Sequence, residues 1–385
     1  LEGLPGVEFV IFDKGLGKRS YADLRRQLRS RRFDVLIHAQ FSMRSNLASL
    51  QVRAPVRLGY DAGRSKDLHG LFINERIPPG PGQHVVDSYF SFAETLGVRE
   101  RKLVWEIPVP EEARAFAAAQ LPENDPILLL SPCSSHPLRN WLPDRYARLC
   151  DHAARTHGFR IVLAGGPSDA ERAMGDAIRD RMREPVTDLI GKDTLKQLLA
   201  MIGRATLLVT PDSGPMHMAT AMGTPVLGLH AASNPQRSGP YLSRRWCVDR
   251  YDSAARKFLG QPAEALKWGT KIELPGVMEL ITVDDALERL DAFVAAGMPR
   301  SLAPGAGGQG VVLGPGQDHR QLPEPGHPAA VGGLPAVAGR LQGDQHPLEV
   351  GQDLVLGGPD PDAPRQPGPR QQVVEPGVQR RGEVR

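Results

Sequence analysis

The sequence lacks the features that mark several broad classes of protein. Its 385 residues include three cysteines, Cys133, Cys150 and Cys247, too few and too scattered for a disulfide framework or a zinc site. No apolar run is long enough to span a bilayer, and no segment resembles a signal peptide. The low cysteine content therefore favours a reducing compartment, and we expect a cytoplasmic protein.

Charge is also nearly balanced. The formal net charge is +3 and the sequence pI is about 8.8, which is too mild to indicate a nucleic-acid partner by itself. An anionic substrate or a negatively charged membrane surface would fit equally well. The chain opens at Leu1, in sequence typical of the middle of an α/β domain. We therefore expect the first domain to be incomplete.

The last part of the chain has a composition unlike the rest. Residues 301–385 contain 13 prolines and 17 glycines, and they include no lysine, phenylalanine, tyrosine or tryptophan. Such a segment buries too little apolar surface to offset its ordering entropy, so residues 298–385 are predicted to be disordered. A nucleic-acid-binding tail is disfavoured, because the charges are interspersed and stacking aromatics are missing.

The first hundred residues alternate between apolar runs and amphipathic segments. Strands are predicted at residues 7–12, 35–38 and 57–61, and helices at 21–31 and 87–96. Gln40, Arg44 and Ser45 follow the second strand and open a helix. They are candidates to hold polar groups over a cleft, although a solvated helix start would look the same.

A proline-rich connection, residues 101–125 with one helix at 111–120, separates this part from a second one at 126–297. Strands and helices then alternate regularly, which predicts a parallel sheet covered on both faces. The predicted strands are 127–130, 160–164 and 187–190, and the predicted helices are 144–157, 169–183, 194–204 and 283–296.

The stretch 207–229 reads as strand, turn, helix and strand. Asp212, Ser213 and Gly214 form the turn, and Met216 and His217 lie in the short helix that follows. In open parallel sheets, ligands bind beyond the carboxyl ends of the strands, where helix N-termini point N–H groups and a positive dipole end at anions. The turn is therefore a candidate anion site.

Two further turns carry polar groups after buried strands. Ser131, Ser134, Ser135 and Arg139 suit a pyrophosphate, since hydroxyls donate to its oxygens and guanidinium supplies a bidentate countercharge. The serines could instead form turn bonds only.

The other turn contains Gly165 and Gly166, which let backbone approach a ligand closely, with Ser168 or Asp169 capping the next helix. A Gly-Gly turn alone is a weak signal. The joint signal comes from three turns converging on one edge of one sheet.

These motifs together resemble glycosyltransferase family 9, the bacterial ADP-heptose:lipopolysaccharide heptosyltransferases. The resemblance spans roughly residues 1–297, and its most specific piece is Asp212-Ser-Gly-Pro-Met-His217. Other residues that carry it are Ser131-Pro-x-Ser-Ser with Arg139-x-Trp141-x-Pro143, Gly165-Gly166, Leu189-Ile-Gly191, and more loosely Ala39-Gln40, Arg44-Ser45 and Arg57-Leu-Gly-Tyr60.

The resemblance implies two facing Rossmann-like domains of the GT-B type. The first, residues 1–100, would bind the acceptor, and the second, residues 126–297, would bind the nucleotide-sugar. It further implies an inverting, metal-independent transfer without a cofactor, an ADP-heptose donor and a lipopolysaccharide core acceptor. It places the enzyme peripherally at the inner face of the cytoplasmic membrane.

Carried over by position, Asp212 and Arg139 would be catalytic, and Gln40, Arg44 and Ser45 would bind the acceptor. The donor set would be Ser131, Ser134, Ser135, Arg139, Gly165, Gly166, Asp212, Ser213, Gly214, Met216 and His217. The chain departs from the family at Arg139, where lysine is usual, and at His38, where aspartate is common. The second departure suggests altered acceptor selection.

Inverting transfer needs a carboxylate that takes the acceptor hydroxyl's proton. In the family the proposed base lies in a Gly-Asp loop, and this chain starts beyond it. We therefore expect weak donor binding and poor transfer. Asp212 could serve as the base, but its position favours a donor-site role.

Two alternatives stay open. One is a nucleotide-sugar epimerase or hydrolase of the same fold, with His217 and Asp212 as acid and base, and the other is a non-catalytic nucleotide-sugar binder. A Ser-His-Asp hydrolase built on Ser213 is disfavoured, because no Gly-x-Ser-x-Gly elbow is present.

Overall fold

The computed structural model describes residues 3–121, 125–300 and 311–313. The N-terminal elements are α1 (Arg19–Leu28), β1 (Val35–His38), α2 (Met43–Ser49), β2 (Val56–Gly59), β3 (Glu75–Arg76) and α3 (Val85–Thr95). The three strands form one sheet in the order β1-β2-β3, and both pairings are parallel. The predicted strands at 35–38 and 57–61 and the helices at 21–31 and 87–96 are confirmed, with small shifts at their ends.

The strand predicted at residues 7–12 is wrong. These residues form no regular element, although Val10 and Phe12 pack against Leu24 and Leu28 of α1. An apolar run indicates that a segment is buried, but a strand also needs a neighbour that pairs with its backbone. Within the described residues, β1 pairs only with β2.

The remaining elements are β4 (Arg101–Leu103), α4 (Glu111–Gln120), β5 (Ile127–Leu130), α5 (Pro143–His157), β6 (Arg160–Leu163), α6 (Asp169–Arg179), β7 (Val186–Asp188), α7 (Leu195–Arg204), β8 (Leu207–Pro211), α8 (Gly214–Met222), β9 (Val226–His230), α9 (Pro235–Ser238), β10 (Val248–Asp249), α10 (Tyr251–Leu259), α11 (Val283–Ala295) and β11 (Val311–Leu313). Six strands form the large sheet, in the order β10-β9-β8-β5-β6-β7, and every pairing is parallel. The predicted α/β class with parallel sheets is confirmed.

The large sheet is buried on both faces. Leu128 and Leu130 of β5 pack on the face that α5, α10 and α11 cover. Ile127 and Leu129 pack on the opposite face, under α4, α7 and α8. Because side chains alternate across a strand, a continuous apolar run fills both cores. Short continuous apolar runs in the second half therefore predict its strands.

The strand order contains a switch point. The chain places β6 and β7 successively outward from β5, and then returns to place β8 on the other side of β5. The loops after β5 and β8 consequently leave the sheet in different directions and open a crevice at the carboxyl ends of these two strands. Ligands of open α/β sheets bind at such switch points.

The segment predicted as a connection contains β4 as well as the predicted helix at 111–120. Strand β4 pairs antiparallel with β11, so residues 311–313 depart from the disorder predicted for 298–385, because an edge strand offers unpaired backbone groups. Arg300, inside the same predicted tail, donates to the carbonyl of Gly203 at 2.9 Å. Residues 301–310 and 314–385 lie outside the described residues.

The start of α3 joins the N-terminal part to the second part of the chain. His84 caps α3, since its Nδ1 accepts from Val86 N–H at 3.1 Å. Its Nε2 must then carry the proton and donates to the carbonyl of Gly239 at 3.0 Å. Tyr241 is buried, and its hydroxyl donates to Asp87 at 2.7 Å. These contacts connect the two sheets close to the crevice.

Candidate functional site

The site begins where the loops after β5 and β8 touch. The Ser134 hydroxyl donates to the main-chain carbonyl of Asp212 at 2.7 Å, and Ser134 N–H donates to Asn140 Oδ1 at 2.7 Å. The structure thus brings Ser134 and Asp212 together, as predicted. It also shows that the Ser134 proton is already used within the protein, which leaves the hydroxyl oxygen as an acceptor.

The other two serines of this loop differ from each other. Ser131 is buried, and its N–H donates to the carbonyl of Val209 at 3.0 Å. This main-chain bond extends the pairing of β5 with β8, and the predicted contact of Ser131 with a donor stays a prediction. Ser135 is exposed at the mouth of the crevice.

Arg139 is held by the carboxylate of Glu273, which lies in none of the predicted motifs. Its Nε and one terminal nitrogen each lie 2.7 Å from the same oxygen of Glu273. Its other terminal nitrogen lies 3.8 Å from Asp212 Oδ2 and 3.5 Å from the Ser134 hydroxyl. The guanidinium therefore faces the Asp212 loop while Glu273 holds it in place.

Asp212 sits among positive and polar neighbours. Lys271 donates to its Oδ2 at 3.1 Å, and Ser233 hydrogen-bonds to it as well. Burial pushes the pKa of Asp212 upward, but the ammonium of Lys271 and these hydrogen bonds outweigh burial and hold the pKa below its ordinary value. The carboxylate is therefore ionised at neutral pH and is a weak proton acceptor.

Two histidines flank this carboxylate. His217 reaches solvent, yet protein surrounds most of its ring, and the resulting desolvation lowers its pKa although the charge of Asp212 acts in the opposite direction. His230 is fully buried, which lowers its pKa to about 4. Its Nδ1 lies 3.3 Å from the Ser233 hydroxyl, and its Nε2 has no partner among the described residues. Both rings are neutral at pH 7.

The N-terminus of α8 opens into the crevice. Gly214 is exposed, and a Cβ added there would meet nothing within 4 Å. The side chain of Met216 is fully buried in the core, so its predicted contact with the donor would involve its main-chain N–H and stays a prediction. Ser213 shares a hydrogen bond of 2.8 Å with Thr210. First-turn N–H groups lack helical partners and attract anions.

The turn after β6 is occupied by a carboxylate. Glu171 accepts from Gly166 N–H at 2.5 Å, and a Cβ at Gly165 would lie 2.8 Å from the same carboxylate. Ser168 caps α6, as predicted. The two glycines are therefore explained by the close approach of Glu171, and this turn presents negative charge rather than free N–H groups.

A second acidic group lies near Glu171. Burial raises the pKa of Asp193 to about 6, and the charge of Glu171 adds to the shift. One oxygen of Asp193 is buried without a partner among the described residues. Burial also raises the pKa of the Cys133 thiol to about 12, again with a contribution from Glu171. The Glu171 carboxylate thus influences groups on the neighbouring loops.

The three predicted acceptor residues lie at the start of α2. Gln40 and Arg44 are exposed. Ser45 shares a hydrogen bond of 2.7 Å with Ser42, whose hydroxyl also caps α2. The structure therefore puts all three at the carboxyl edge of the N-terminal sheet, with Ser45 partly committed to the helix start.

His38 has a different position from the one expected for acceptor selection. It is buried, and its Nε2 lies 2.9 Å from Asn46 Oδ1. His69 contacts the same oxygen at 3.0 Å. His38 consequently supports α2 from beneath.

The residues that sequence reasoning missed are Glu171, Ser233, His230, Lys271 and Glu273. Lys271 and Glu273 reach the site from a segment without a regular element, about sixty residues after Asp212 in the chain. The sequence signal for them is the alternation of charged Lys271 and Glu273 with apolar Ile272, which is buried. This alternation is typical of an extended segment with one face on the protein. Within the ranges that the structure describes, no helix has the length and apolarity to cross a membrane.

The sequence profile of one family, glycosyltransferase family 9 (heptosyltransferase), matches residues 21–278. The chain is 33% identical over 290 residues to the lipopolysaccharide core heptosyltransferase OpsX of Haemophilus influenzae, covering 75% of this chain and 83% of that protein. It is 27% identical over 237 residues to lipopolysaccharide heptosyltransferase 3 of Escherichia coli, covering 59% of this chain and 68% of that one.

Solved structures share the fold. A glycosyltransferase family 9 protein from Veillonella parvula superposes with a TM-score of 0.60 at 24% identity, covering 74% of this chain and 82% of the other. The ADP-heptose lipopolysaccharide heptosyltransferase II of E. coli superposes with a TM-score of 0.52 at 20% identity, with coverages of 74% and 83%. Both resemble this chain in overall architecture.

Proposed function

The chain belongs to glycosyltransferase family 9, and from that premise we propose that it moves a heptose from ADP-heptose to the inner core of lipopolysaccharide. The enzyme is a glycosyltransferase, and the fold is of the GT-B type. The two relatives named above are both lipopolysaccharide heptosyltransferases by name. The observation that carries the proposal is the group formed by Ser134, Arg139, Asp212 and Lys271 at the switch point.

The donor's diphosphate lies over the crevice between β5 and β8. Arg139 and Lys271 supply two cations there, and the first turn of α8 supplies N–H groups. Before the donor binds, Asp212 and Glu273 neutralise these cations. The diphosphate then competes for the same donors, because phosphate oxygens accept charge-assisted hydrogen bonds of similar strength.

Leaving-group stabilisation is the chemical role of this crevice. As the bond from the anomeric carbon to the diphosphate breaks, negative charge grows on the diphosphate and positive charge grows on the sugar ring. Arg139, Lys271 and the α8 N-terminus oppose the first charge, and the ionised Asp212 opposes the second. Fixed protein cations suffice for this role without a metal ion, and attack by the acceptor hydroxyl on the face opposite the departing diphosphate inverts the anomeric centre.

Hydroxyl groups of the nucleoside lie on the other side of the rim. Glu171 and Asp193 offer oxygens that accept hydrogen bonds, and both would repel a phosphate. Glu171 is the better placed of the two, because it already lies against the Gly165-Gly166 turn. Glu171 therefore binds the ribose of the donor, and the sugar-diphosphate extends from there towards Asp212.

The acceptor approaches from the N-terminal sheet. Gln40, Arg44 and Ser45 offer hydrogen bonds and one cation to the phosphorylated or acidic sugars of an inner core. An apolar patch adjoins them, in which Met43, Leu47, Leu50, Leu68 and Leu71 are between 38% and 78% exposed.

The apolar patch spans α2 and the loop beside it. Asp67 fixes this arrangement, since its carboxylate accepts from Met43 N–H at 3.1 Å and its carbonyl accepts from Asn46 at 2.8 Å. Exposed Arg44 and Lys66 flank the patch. Apolar side chains rimmed by cations suit the surface of an anionic bilayer, so the protein works peripherally at the inner face of the cytoplasmic membrane.

Product analysis tests the function. The full chain is incubated with labelled ADP-heptose and Kdo-lipid A, and the label is followed into lipid, free sugar or a changed isomer. We expect label in the lipid, at the low rate predicted from the sequence. Free heptose would indicate a hydrolase, an altered sugar would indicate an epimerase, and binding without turnover would indicate a non-catalytic binder, so each of these three results contradicts the proposal.

Vesicle flotation tests the membrane contact separately. The wild type should float with vesicles that contain an anionic phospholipid, and a variant with Leu68→Ser and Leu71→Ser should not. Leu195→Ser is the matched control, because Leu195 is similarly exposed, at 66%, but lies at the start of α7 in the other half. Equal flotation of all three proteins would refute this surface.

A further inference from the structure

Three potential metal ligands converge where α5 packs against α11. They are His152 and His157 of α5 and Asp291 of α11, and their ligand atoms all lie within 4.8 Å of one another. The two helices are joined beneath them by the apolar core on one face of the large sheet. None of the three residues takes part in the rim of the sheet, so the proposed transfer leaves this cluster without a role.

Both histidine side chains contact the same oxygen atom of Asp291. His152 Nε2 lies 2.8 Å and His157 Nε2 lies 2.6 Å from the same oxygen, Oδ1 of Asp291. The two rings approach edge to face, with centroids 5.2 Å apart and planes at 80°. Both imidazoles therefore direct the same nitrogen towards a shared point, which two unrelated surface ion pairs would not require.

We propose that His152, His157 and Asp291 bind a divalent transition-metal ion, such as Zn²⁺, that clamps α5 to α11. Two imidazole nitrogens and one carboxylate oxygen are ligands that zinc accepts readily. Magnesium and calcium prefer sites made of oxygen alone. The part of the carboxylate that faces solvent leaves the fourth position to water.

Metal binding requires a small change in the separations between the ligand atoms. With metal bonds of about 2.0–2.2 Å, neighbouring ligands of a tetrahedral site lie about 3.3–3.6 Å apart. The two nitrogen–oxygen separations are hydrogen-bond lengths, so each nitrogen must move away from Asp291 Oδ1 by about 0.5–1 Å as the ion replaces the shared proton. Asp291 is half exposed, and its side chain can rotate by this amount without disturbing the core.

The outer nitrogen of one ring is also held. His152 Nδ1 lies 3.3 Å from the hydroxyl of Thr156, one helical turn further along α5. A partner on the outer nitrogen selects the tautomer and fixes the direction of the ring, as in established histidine-metal sites. The chain therefore supplies a ligand set and, for one ligand, an outer partner that orients it.

The test uses the full chain without a histidine tag, stripped with a chelator and titrated with zinc chloride alone. We expect one Zn²⁺ per chain by calorimetry and a rise in Tm of about 5 °C when zinc exceeds its Kd a hundredfold. Mg²⁺ at the same concentration should leave Tm unchanged. Transfer activity is not the readout, so this result is independent of the proposed function.

Two ligand variants and one control distinguish the site from adventitious binding. His157→Ala should weaken zinc binding by at least about tenfold, and Asp291→Asn, which keeps the packing, should do the same. Asp284→Asn changes another exposed carboxylate of α11 and should bind as the wild type does. Stoichiometric zinc that persists in both ligand variants, or no stoichiometric zinc in the wild type, would overturn the proposal.

Discussion

The two sides of the rim of the large sheet differ in whether their carboxylates are paired with cations. On the side of β5 and β8, the cations Arg139 and Lys271 surround the carboxylate of Asp212. On the side of β6, Glu171 and Asp193 lie together, and neither forms an ion pair among the described residues. One edge of one parallel sheet therefore holds two electrostatic environments.

Asp193 and Asp212 differ in their pKa values because of these surroundings. Both are at least partly buried, and burial alone raises the pKa of each. Lys271 reverses the shift at Asp212, whereas Asp193 has no such neighbour and its pKa rises to about 6. A group with two negative phosphates fits the first environment and not the second, so the charge pattern assigns a direction to the bound donor.

The largest effect is expected from Asp212→Asn. It removes the charge that opposes the developing cation on the sugar, and it leaves Lys271 without its partner. We expect kcat/KM to fall by about 10²–10³-fold. Steady-state transfer kinetics measure this, with Tm as the control for folding, and a loss smaller than about threefold in a folded variant would contradict the role of Asp212.

Arg139→Ala should have the next largest effect. The variant removes one of two cations from the diphosphate and leaves Glu273 free to repel it, so we expect a loss of about 10–10²-fold in kcat/KM. Arg139→Lys retains the charge without the planar fork and should recover part of that loss.

Glu273→Gln is the matched control for the arginine. It keeps the shape of the side chain and removes the competing carboxylate, so donor affinity should stay equal or rise. A fall in kcat/KM as large as that of Arg139→Ala would mean that Glu273 itself contacts the donor.

Glu171→Gln probes the acidic side and should act mainly on donor binding. We expect KM for ADP-heptose to rise about tenfold with little change in kcat, because a hydroxyl contact of the ribose is equally present in ground and transition states. The effect should disappear with donor analogues that lack the contacted ribose hydroxyl. An improved affinity for the donor would instead place phosphate next to Glu171.

Asp193→Asn should give the smallest effect, on stability alone. A raised pKa means that the folded state favours the protonated carboxyl, so this contribution is complete below pH 4 and is lost as pH rises through about 6. The variant should therefore gain about 1 kcal/mol over the wild type at pH 8 and nothing at pH 4. Urea unfolding at both pH values measures this, and a gain at pH 4 would contradict it.

Much of the second half of the fold was predictable from the sequence, because its strands are short apolar runs between amphipathic helices with clear caps. Thr282 caps α11 with a capping box, and Pro143 begins α5. Residues next to each helix therefore determine where it begins. Residues 7–12 have an equally apolar sequence, but within the described residues no strand pairs with them, and they pack against α1 without forming a regular element.

The candidate site divides in the same way. Ser134 and Asp212 could be predicted to meet, since parallel strands that are neighbours bring their following loops together. Lys271 and Glu273 could not, because their approach depends on how a segment without regular structure folds back over the sheet. Burial of Ser131 and Met216 also escaped prediction, since a motif does not distinguish a side chain that faces the ligand from one that faces the core.

A crystal structure of the full chain with ADP would show which side of the rim binds the diphosphate. We expect the diphosphate oxygens to lie within hydrogen-bond distance of Arg139 or Lys271 and of the first-turn N–H groups of α8, with Glu171 against the ribose. A diphosphate bound at the Gly165-Gly166 turn, with the ribose over Asp212, would contradict it.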